Sequence, residues 1–213
     1  MEDILYTYHG QLYVNLTNQC PCACTFCIRS QTRAIGSAQD LWLEHDPSVE
    51  EVKAELDRYD LSQFQEVVFC GYGEPICALD RLIAVADYIH SQADISIRVN
   101  TNGLGDLIHG KKVAPLLKGH VDVVSISLNA PNAEEYNAVT RPKFGIKSFD
   151  AMLQFAKDCK QEGDRHPPDG GGCDRQGGCG AVAELADSNW NPAAGSRLRG
   201  VKQKRENNSM RAP

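Results

Sequence analysis

Residues 11–27 read QLYVNLTNQCPCACTFC, and this stretch joins a strand pattern directly to a group of cysteines. Apolar and polar residues alternate from Gln11 to Thr17, which predicts a β-strand. Four thiols follow between Cys20 and Cys27, so the cysteines are expected on the loop at the strand's carboxyl end. That edge binds ligands in parallel sheets and barrels, and the stretch therefore indicates an α/β fold with a thiol-rich site.

Further strand and helix patterns alternate through residues 1–160. Strands are predicted at residues 66–70, 95–100 and 121–128. Helices are predicted at residues 46–59, 80–92, 113–118, 133–140 and 149–161. The repeated strand–helix order indicates a parallel sheet with right-handed crossovers, which is either an open sheet or part of a barrel.

Short polar stretches follow the four predicted strands. They are residues 20–27, 71–75, 100–103 and 127–129. Because the carboxyl ends of parallel strands lie on one edge of a sheet, we expect these stretches to form a single site.

The spacing of the cysteines indicates an iron–sulfur cluster. Cys20, Cys24 and Cys27 follow the pattern Cys-x3-Cys-x2-Cys on one loop. Thiolates spaced in this way can ligate three irons of a [4Fe-4S] cluster and leave the fourth iron open to another ligand. Structural zinc usually takes four ligands from two separated pairs, and the only local fourth thiol here is Cys22. A non-catalytic, cysteine-rich zinc-binding module is the alternative from another functional class.

Two motifs together resemble the radical S-adenosylmethionine (SAM) superfamily. The first is the cysteine pattern with Phe26 before its last thiol, and the second is Gly71-Tyr72-Gly73-Glu74-Pro75 after a predicted strand. The resemblance implies a partial (βα)6 barrel over residues 1–160, of which about four βα units are visible. It also implies that SAM chelates the open iron and is cleaved reductively. The resulting 5′-deoxyadenosyl radical would take a hydrogen atom from an unknown substrate.

The same resemblance assigns SAM-binding roles to residues at the strand ends. These residues are Phe26, Gly71, Gly73, Glu74, Asn102, Ser127 and Asn129. The backbone at Phe26 is expected near the adenine, and the glycine motif near the methionine amino group. Ser127 and Asn129 are expected near the ribose and the methionine carboxylate. For Asn102 and the glycine after it, an ordinary turn is the alternative.

The resemblance also suggests partners. A radical SAM protein needs a one-electron reductant, such as a flavodoxin or a ferredoxin. At a finer level, residues 13–18 (YVNLTN) and 69–75 (FCGYGEP) resemble the radical SAM proteins associated with TatD-type hydrolases. This implies a functional link to such a hydrolase, but no substrate.

The composition bears on partners and compartment. The formal net charge of −6 provides no general attraction to nucleic acid or to anionic membranes. No apolar run approaches the ~20 residues that span a bilayer, and Met1-Glu2-Asp3 does not resemble a signal peptide. Nine cysteines then indicate metal or redox chemistry in a reducing compartment, and the cytoplasm is expected.

Residues 161–213 differ in composition from the rest. They contain nine of the 18 glycines and show neither helical nor strand periodicity, which predicts a disordered tail. A frameshift in the coding sequence is the other interpretation. A reading shifted by one base permits Val-Val-Asp-Val-Ile across residues 170–174 and Ile-Gly-Ile-Pro-Leu across residues 189–194. Under that hypothesis the chain lacks the last third of its barrel, and Cys173 and Cys179 have no role as thiols.

Overall fold

A computed structural model describes residues 3–164 and 182–186, which form one sheet covered by helices. The strands are β1 (Leu5–Tyr8), β2 (Gln11–Val14), β3 (Glu66–Phe69), β4 (Ser96–Thr101), β5 (Val123–Ser127) and β6 (Val182–Ala186). The helices are α1 (Val49–Leu56), α2 (Leu79–Gln92), α3 (Gly105–His109), α4 (Ala114–Leu117), α5 (Ala133–Thr140) and α6 (Ser148–Asp164).

The strands lie in the sheet in the same order as in the chain. Strands β2 to β6 are parallel, and β1 pairs with β2 as an antiparallel hairpin. Each right-handed crossover adds the next strand on the same side of the sheet. The crossover helices therefore all lie on one face, and the other face carries no helices. This order is that of a barrel segment, so the chain forms an α/β partial barrel rather than a doubly wound open sheet.

The register separates an apolar face of the sheet from a polar one. Leu12 pairs with Val67 and Val99 pairs with Val124, and all four side chains are fully buried beneath the helices. Successive strand residues point to opposite faces, so the neighbouring rows lie on the concave face. Those rows include Tyr13, Arg98, Asn100 and Ser125. The concave face therefore carries several side chains that can form hydrogen bonds.

Helices α1 and α2 form where the sequence predicts them. Ser48 is the N-cap of α1, and its side chain and that of Glu51 form a capping box. In α2, Leu82, Val85 and Ile89 repeat at helical spacing and are fully buried against the sheet. The helix patterns thus locate the layer that covers the apolar face.

Three elements have no counterpart in the sequence patterns. Strand β1 has only four residues, and α3 has five and begins at a glycine, so neither is long enough to show periodicity. Strand β6 is Val-Ala-Glu-Leu-Ala, which contains residues that are depleted in strands. It pairs with β5 and lies within residues 161–213.

The other predictions for the tail fall on residues that are not described. The permitted strands at residues 170–174 and 189–194, together with Cys173 and Cys179, lie outside the described residues. The disordered tail and the frameshift therefore stay predictions. Among the residues that the structure describes, no helix has the length and apolar character needed to cross a bilayer.

Candidate functional site

The cysteine loop (residues 20–27) is held against the end of helix α5. Backbone N–H groups of Ala23 and Thr25 donate to the carbonyl oxygens of Thr140 and Val139, at 3.0 and 2.9 Å. The last carbonyls of a helix have no partner within the helix, and the loop supplies the missing donors. The thiols therefore sit on a loop whose backbone is fixed by the barrel.

One of the four loop cysteines is buried between two others. Cys22 is 5% exposed and forms hydrogen bonds with Cys20 and Cys24. These hydrogen bonds lower the pKa of Cys20 to about 6 and lower the pKa of Cys24, while the pKa of Cys22 rises. Burial raises the pKa of Cys27. Cys22 is thus favoured as a neutral thiol, and its hydrogen bonds shift Cys20 and Cys24 toward the thiolate, the form that ligates metal.

The positive charge nearest to these thiols comes from Arg29, which the sequence reasoning missed. Its guanidinium Nη2 lies 3.4 Å from the carbonyl oxygen of Cys22, and its Cζ lies 5.9 Å from the ring centroid of Trp42. This charge contributes to the lowered pKa of Cys20 and Cys24. The sequence signal that could have identified Arg29 is its position two residues after Cys27, the last cysteine of the motif.

The donor set fits an iron–sulfur cluster. Cys20, Cys24 and Cys27 are half-buried free thiols on one loop, and the pKa of two of them, Cys20 and Cys24, is lowered by hydrogen bonds with Cys22 and by the charge of Arg29. Among the described residues, no three His, Cys, Asp or Glu side chains converge as ligands of a single ion. A [4Fe-4S] cluster does not need three ligands on a single ion, because each thiolate binds a different iron.

Gly71 and Gly73 lie where the end of β3 touches the segment that leads to the cysteine loop. A Cβ at Gly71 would lie far inside van der Waals contact with Oδ1 of Asn15, and one at Gly73 with the carbonyl oxygen of Thr17. The backbone N–H of Glu74 donates to the carbonyl oxygen of Gln19 at 2.7 Å. The glycines are required by this close approach, which brings the motif beside the thiols. Sequence reasoning did not identify Asn15 or Thr17, although both belong to the polar end of the strand pattern.

The carboxylate of Glu74 joins two strand ends. It is 3% exposed and accepts hydrogen bonds from Oγ1 of Thr101 at 2.7 Å, the N–H of Asn102 at 2.8 Å and the N–H of Ile76 at 3.1 Å. Burial raises the pKa of Glu74 to about 7. These partners give the side chain a positioning role, and its expected contact with SAM stays a prediction.

Asn102 connects this strand end to the cysteine loop. Its side-chain Nδ2 lies 3.9 Å from Sγ of Cys20 and 3.8 Å from Sγ of Cys22. The next residue, Gly103, has a φ of +75°, so a tight turn is also present. The two interpretations of Asn102 are compatible, because the turn aims its amide at the thiols.

The remaining predicted contacts lie at the same edge or on the loop. Thr101 pairs with Ile126, so Ser127 lies at the level of the residue after Thr101. Asn129 has a φ of +60° and donates to the carbonyl oxygen of Ser127 at 3.3 Å. Phe26 is half-buried, and its carbonyl oxygen accepts from the side chain of a neighbouring glutamine. Their contacts with SAM stay predictions.

Tyr72 lies between the two glycines of the motif, and its side chain packs against the loop that follows Cys27. It is 3% exposed, its hydroxyl donates to the carbonyl oxygen of Thr32, and its ring lies 5.3 Å from that of Trp42. It therefore pins the loop that follows Cys27. Tyr72 therefore acts on the position of this loop.

Asp46 anchors the segment before the cysteine loop. Its carboxylate accepts hydrogen bonds from Thr17 at 2.8 Å, from Gln19 at 3.1 Å and from Arg81 at 2.8 Å. Burial opposes ionisation, but the bonds from Arg81 and Thr17 hold the pKa of Asp46 below its ordinary value of 3.8. The carboxylate thus links the path to Cys20 with helix α2.

We expect Asp46→Asn to lower the free energy of unfolding of the metal-free protein by about 2 kcal/mol at pH 7. The folded pKa lies below the unfolded one, so this contribution is present above about pH 4 and is lost as the pH falls through the folded pKa. Urea unfolding of both proteins at pH 7 and pH 3 should show a difference that narrows in acid. Arg81→Met should act non-additively with Asp46→Asn, and a pH-independent, additive difference would contradict the linkage.

Comparison with known proteins identifies a family and structural similarity to solved structures. Residues 14–165 match the family model described as Radical SAM superfamily. The solved structure titled "Structure of TYW1 with a lysine-pyruvate adduct bound" is similar at 16% sequence identity with a TM-score of 0.46. The similarity covers 72% of this chain and 52% of that one, so the chain spans about half the length of that protein. No curated protein matches the chain.

Proposed function

The chain belongs to the radical SAM superfamily, and on that premise we propose that it holds a [4Fe-4S] cluster on Cys20, Cys24 and Cys27 and cleaves SAM reductively. The observation that carries the proposal is the state of the cysteine loop. Three half-buried free thiols lie on one loop whose backbone is bonded to the end of α5, and the amide of Asn102 faces the thiols. Family membership supports the chemistry in general, and this loop supports it in this chain.

When bound together, the iron–sulfur cluster and SAM supply the 5′-deoxyadenosyl radical that abstracts a hydrogen atom. The residues of the chain orient these groups. Cys20, Cys24 and Cys27 would hold three irons, and Arg29 would offset part of the negative charge of the thiolates. Through its three hydrogen bonds, Glu74 fixes the end of β4 at Asn102 relative to the glycine motif.

We place SAM along the edge formed by the strand ends. Backbone carbonyls of Gly71 and Gly73 would accept from the methionine amino group, because the Glu74 side chain is already engaged. Asn102, Ser127 and Asn129 would supply further polar contacts to the nucleoside and the carboxylate. Phe26 would present its backbone to the adenine.

The polar concave face next to this edge is where a substrate would lie. The functional link to a TatD-type hydrolase is part of the proposal and rests on the sequence resemblance of residues 13–18 and 69–75. An anaerobic pull-down with a TatD-type hydrolase as bait would test that link.

The proposal is tested by anaerobic purification and reconstitution with iron and sulfide. We expect iron and acid-labile sulfide in equal amounts, a reduced-cluster EPR signal that changes when SAM is added, and 5′-deoxyadenosine from SAM under reductant. Zinc alone, without sulfide, would establish the metal-binding module instead. A cluster whose EPR signal ignores SAM would contradict the SAM site.

A further inference from the structure

A basic segment stands out on an acidic chain. The whole sequence carries a formal net charge of −6, but Arg141–Lys147 (RPKFGIK) contains three cations and no carboxylate. The side chains of Arg141, Lys143 and Lys147 are exposed. Among the described residues, none of the three forms an ion pair, so their charges face solvent.

The basic segment lies directly on the cysteine loop. The backbone N–H of Lys143 donates to the carbonyl oxygen of Pro21 at 2.8 Å, and Pro142 forms an antiparallel bridge with Cys22. On the loop itself, Ala23 and Thr25 are exposed. Only the backbone of the cysteine loop therefore separates the thiols from a surface that carries the three cations.

An apolar side chain lies within this charged frame. Ile146 is 53% exposed, the most exposed large hydrophobic side chain among the described residues. Lys143 also packs its ammonium group 4.9 Å from the ring centroid of Phe144. An apolar contact with a charged rim is the composition of a transient protein interface.

We propose that the basic segment is the docking surface for an acidic protein that carries one electron to the site. The inference rests on the proposed function, which requires electrons to reach the thiol-bound irons. Cations around the outer side of the loop would steer an acidic carrier to the point of shortest approach.

A nucleic acid is the less suited occupant of this surface. Proteins that bind duplex nucleic acid by charge typically make on the order of 6–10 phosphate contacts, and this segment offers three cations. Outside the basic segment, residues 1–164 contain 11 Lys and Arg against 23 Asp and Glu, and this negative excess would repel a polyanion. A compact acidic protein needs only a local patch.

The test compares two double variants of the reconstituted full-length protein with the same change of charge. Lys143→Glu with Lys147→Glu reverses the basic segment. Lys157→Glu with Lys160→Glu reverses two exposed lysines in the second half of α6, about 15 Å along the helix from its start at Ser148. The probe is a reduced flavodoxin with an acidic surface, and bleaching of the cluster absorbance reports electron transfer in single turnover.

We expect the first variant to slow the second-order reduction by flavodoxin on the order of 10–100-fold at low salt and to lose most of its salt dependence. The second variant should resemble the wild type. Photoreduced deazaflavin, a small reductant that needs no docking, should reduce all three proteins equally and support the same 5′-deoxyadenosine yield.

The outcomes separate this inference from the proposed function. Equal flavodoxin rates in both variants would overturn the docking surface while leaving the proposed function intact. So would charge-dependent binding of bulk transfer RNA to the basic segment without any effect on flavodoxin. A wild-type protein that takes up no iron–sulfur cluster would overturn the proposed function, and the inference with it.

Discussion

Replacement of Cys24 by alanine is expected to leave the protein without a stable [4Fe-4S] cluster and to reduce 5′-deoxyadenosine formation to the background of SAM decomposition. Cys24 is half-buried, and its hydrogen bond with Cys22 lowers the pKa of its thiol. Without it, one iron would lack a protein ligand on a loop whose backbone is fixed by α5. Iron and sulfide content, EPR and product analysis measure the loss.

The matched control is Cys22→Ala, which removes a thiol from the same loop. Cys22 is buried, and its pKa is raised by its hydrogen bonds with Cys20 and Cys24, so it is expected to stay outside the ligand set. This variant should keep iron, sulfide and SAM cleavage. It should lower the reduction potential, because hydrogen bonds to ligand sulfurs stabilise the reduced state.

A second comparison defines the ligand set. Cys27→Ala should behave as Cys24→Ala does, although burial raises the pKa of Cys27 in the metal-free protein. Retention of the cluster in Cys27→Ala together with its loss in Cys22→Ala would show that Cys22 is the third ligand. The spacing alone would then have misidentified the ligands.

The sequence was sufficient where one physical signal dominates. The spacing of Leu82, Val85 and Ile89 predicts α2 because that face alone is apolar, and the helix predicted over residues 46–59 contains α1, which Ser48 caps. The alternation of β5 likewise predicts a strand with one buried face. Such local patterns located the strand ends and therefore the edge that carries the site.

The contacts between the strand ends were not predictable in this way. The bond from Asn102 to Glu74 joins residues 28 positions apart, and the bond from Arg81 to Asp46 joins residues 35 apart. No periodicity connects such pairs, because the packing of the sheet determines them. Tyr72 is another example, since its contact with the loop after Cys27 depends on how that loop folds back over the concave face.

The glycines of the motif can be required for two reasons, SAM binding and close packing, and the sequence resemblance does not separate them. The resemblance assigns the glycines to SAM, while the structure shows that the segment from Asn15 to Gln19 already passes within contact of them. A change at either glycine would therefore act on folding before it acts on SAM. Unfolding of the metal-free protein isolates the first effect.

Gly73→Ala is expected to lower the free energy of unfolding by about 3 kcal/mol or more. The new Cβ would collide with the carbonyl oxygen of Thr17 and lie 2.8 Å from that of Gln19, and backbone atoms cannot rotate away as a side chain does. Gly110→Ala is the matched control, because Gly110 has a φ of +64° and nothing within 4 Å of its Cβ position. It should cost about 1 kcal/mol through backbone strain alone. Urea unfolding under anaerobic, reducing conditions compares the two.

Gly71→Ala should differ from Gly73→Ala in being partly rescued by a second change. The atoms that it would meet all belong to the side chain of Asn15, which is fully buried and donates to the carbonyl oxygen of Leu41 at 2.9 Å. In an Asn15→Ala background the amide is gone, so the added cost of Gly71→Ala should fall by more than half while that of Gly73→Ala stays unchanged. Equal costs of Gly71→Ala in both backgrounds would mean that the strand end itself shifts. The glycines would then be required for a reason other than the approach of Asn15.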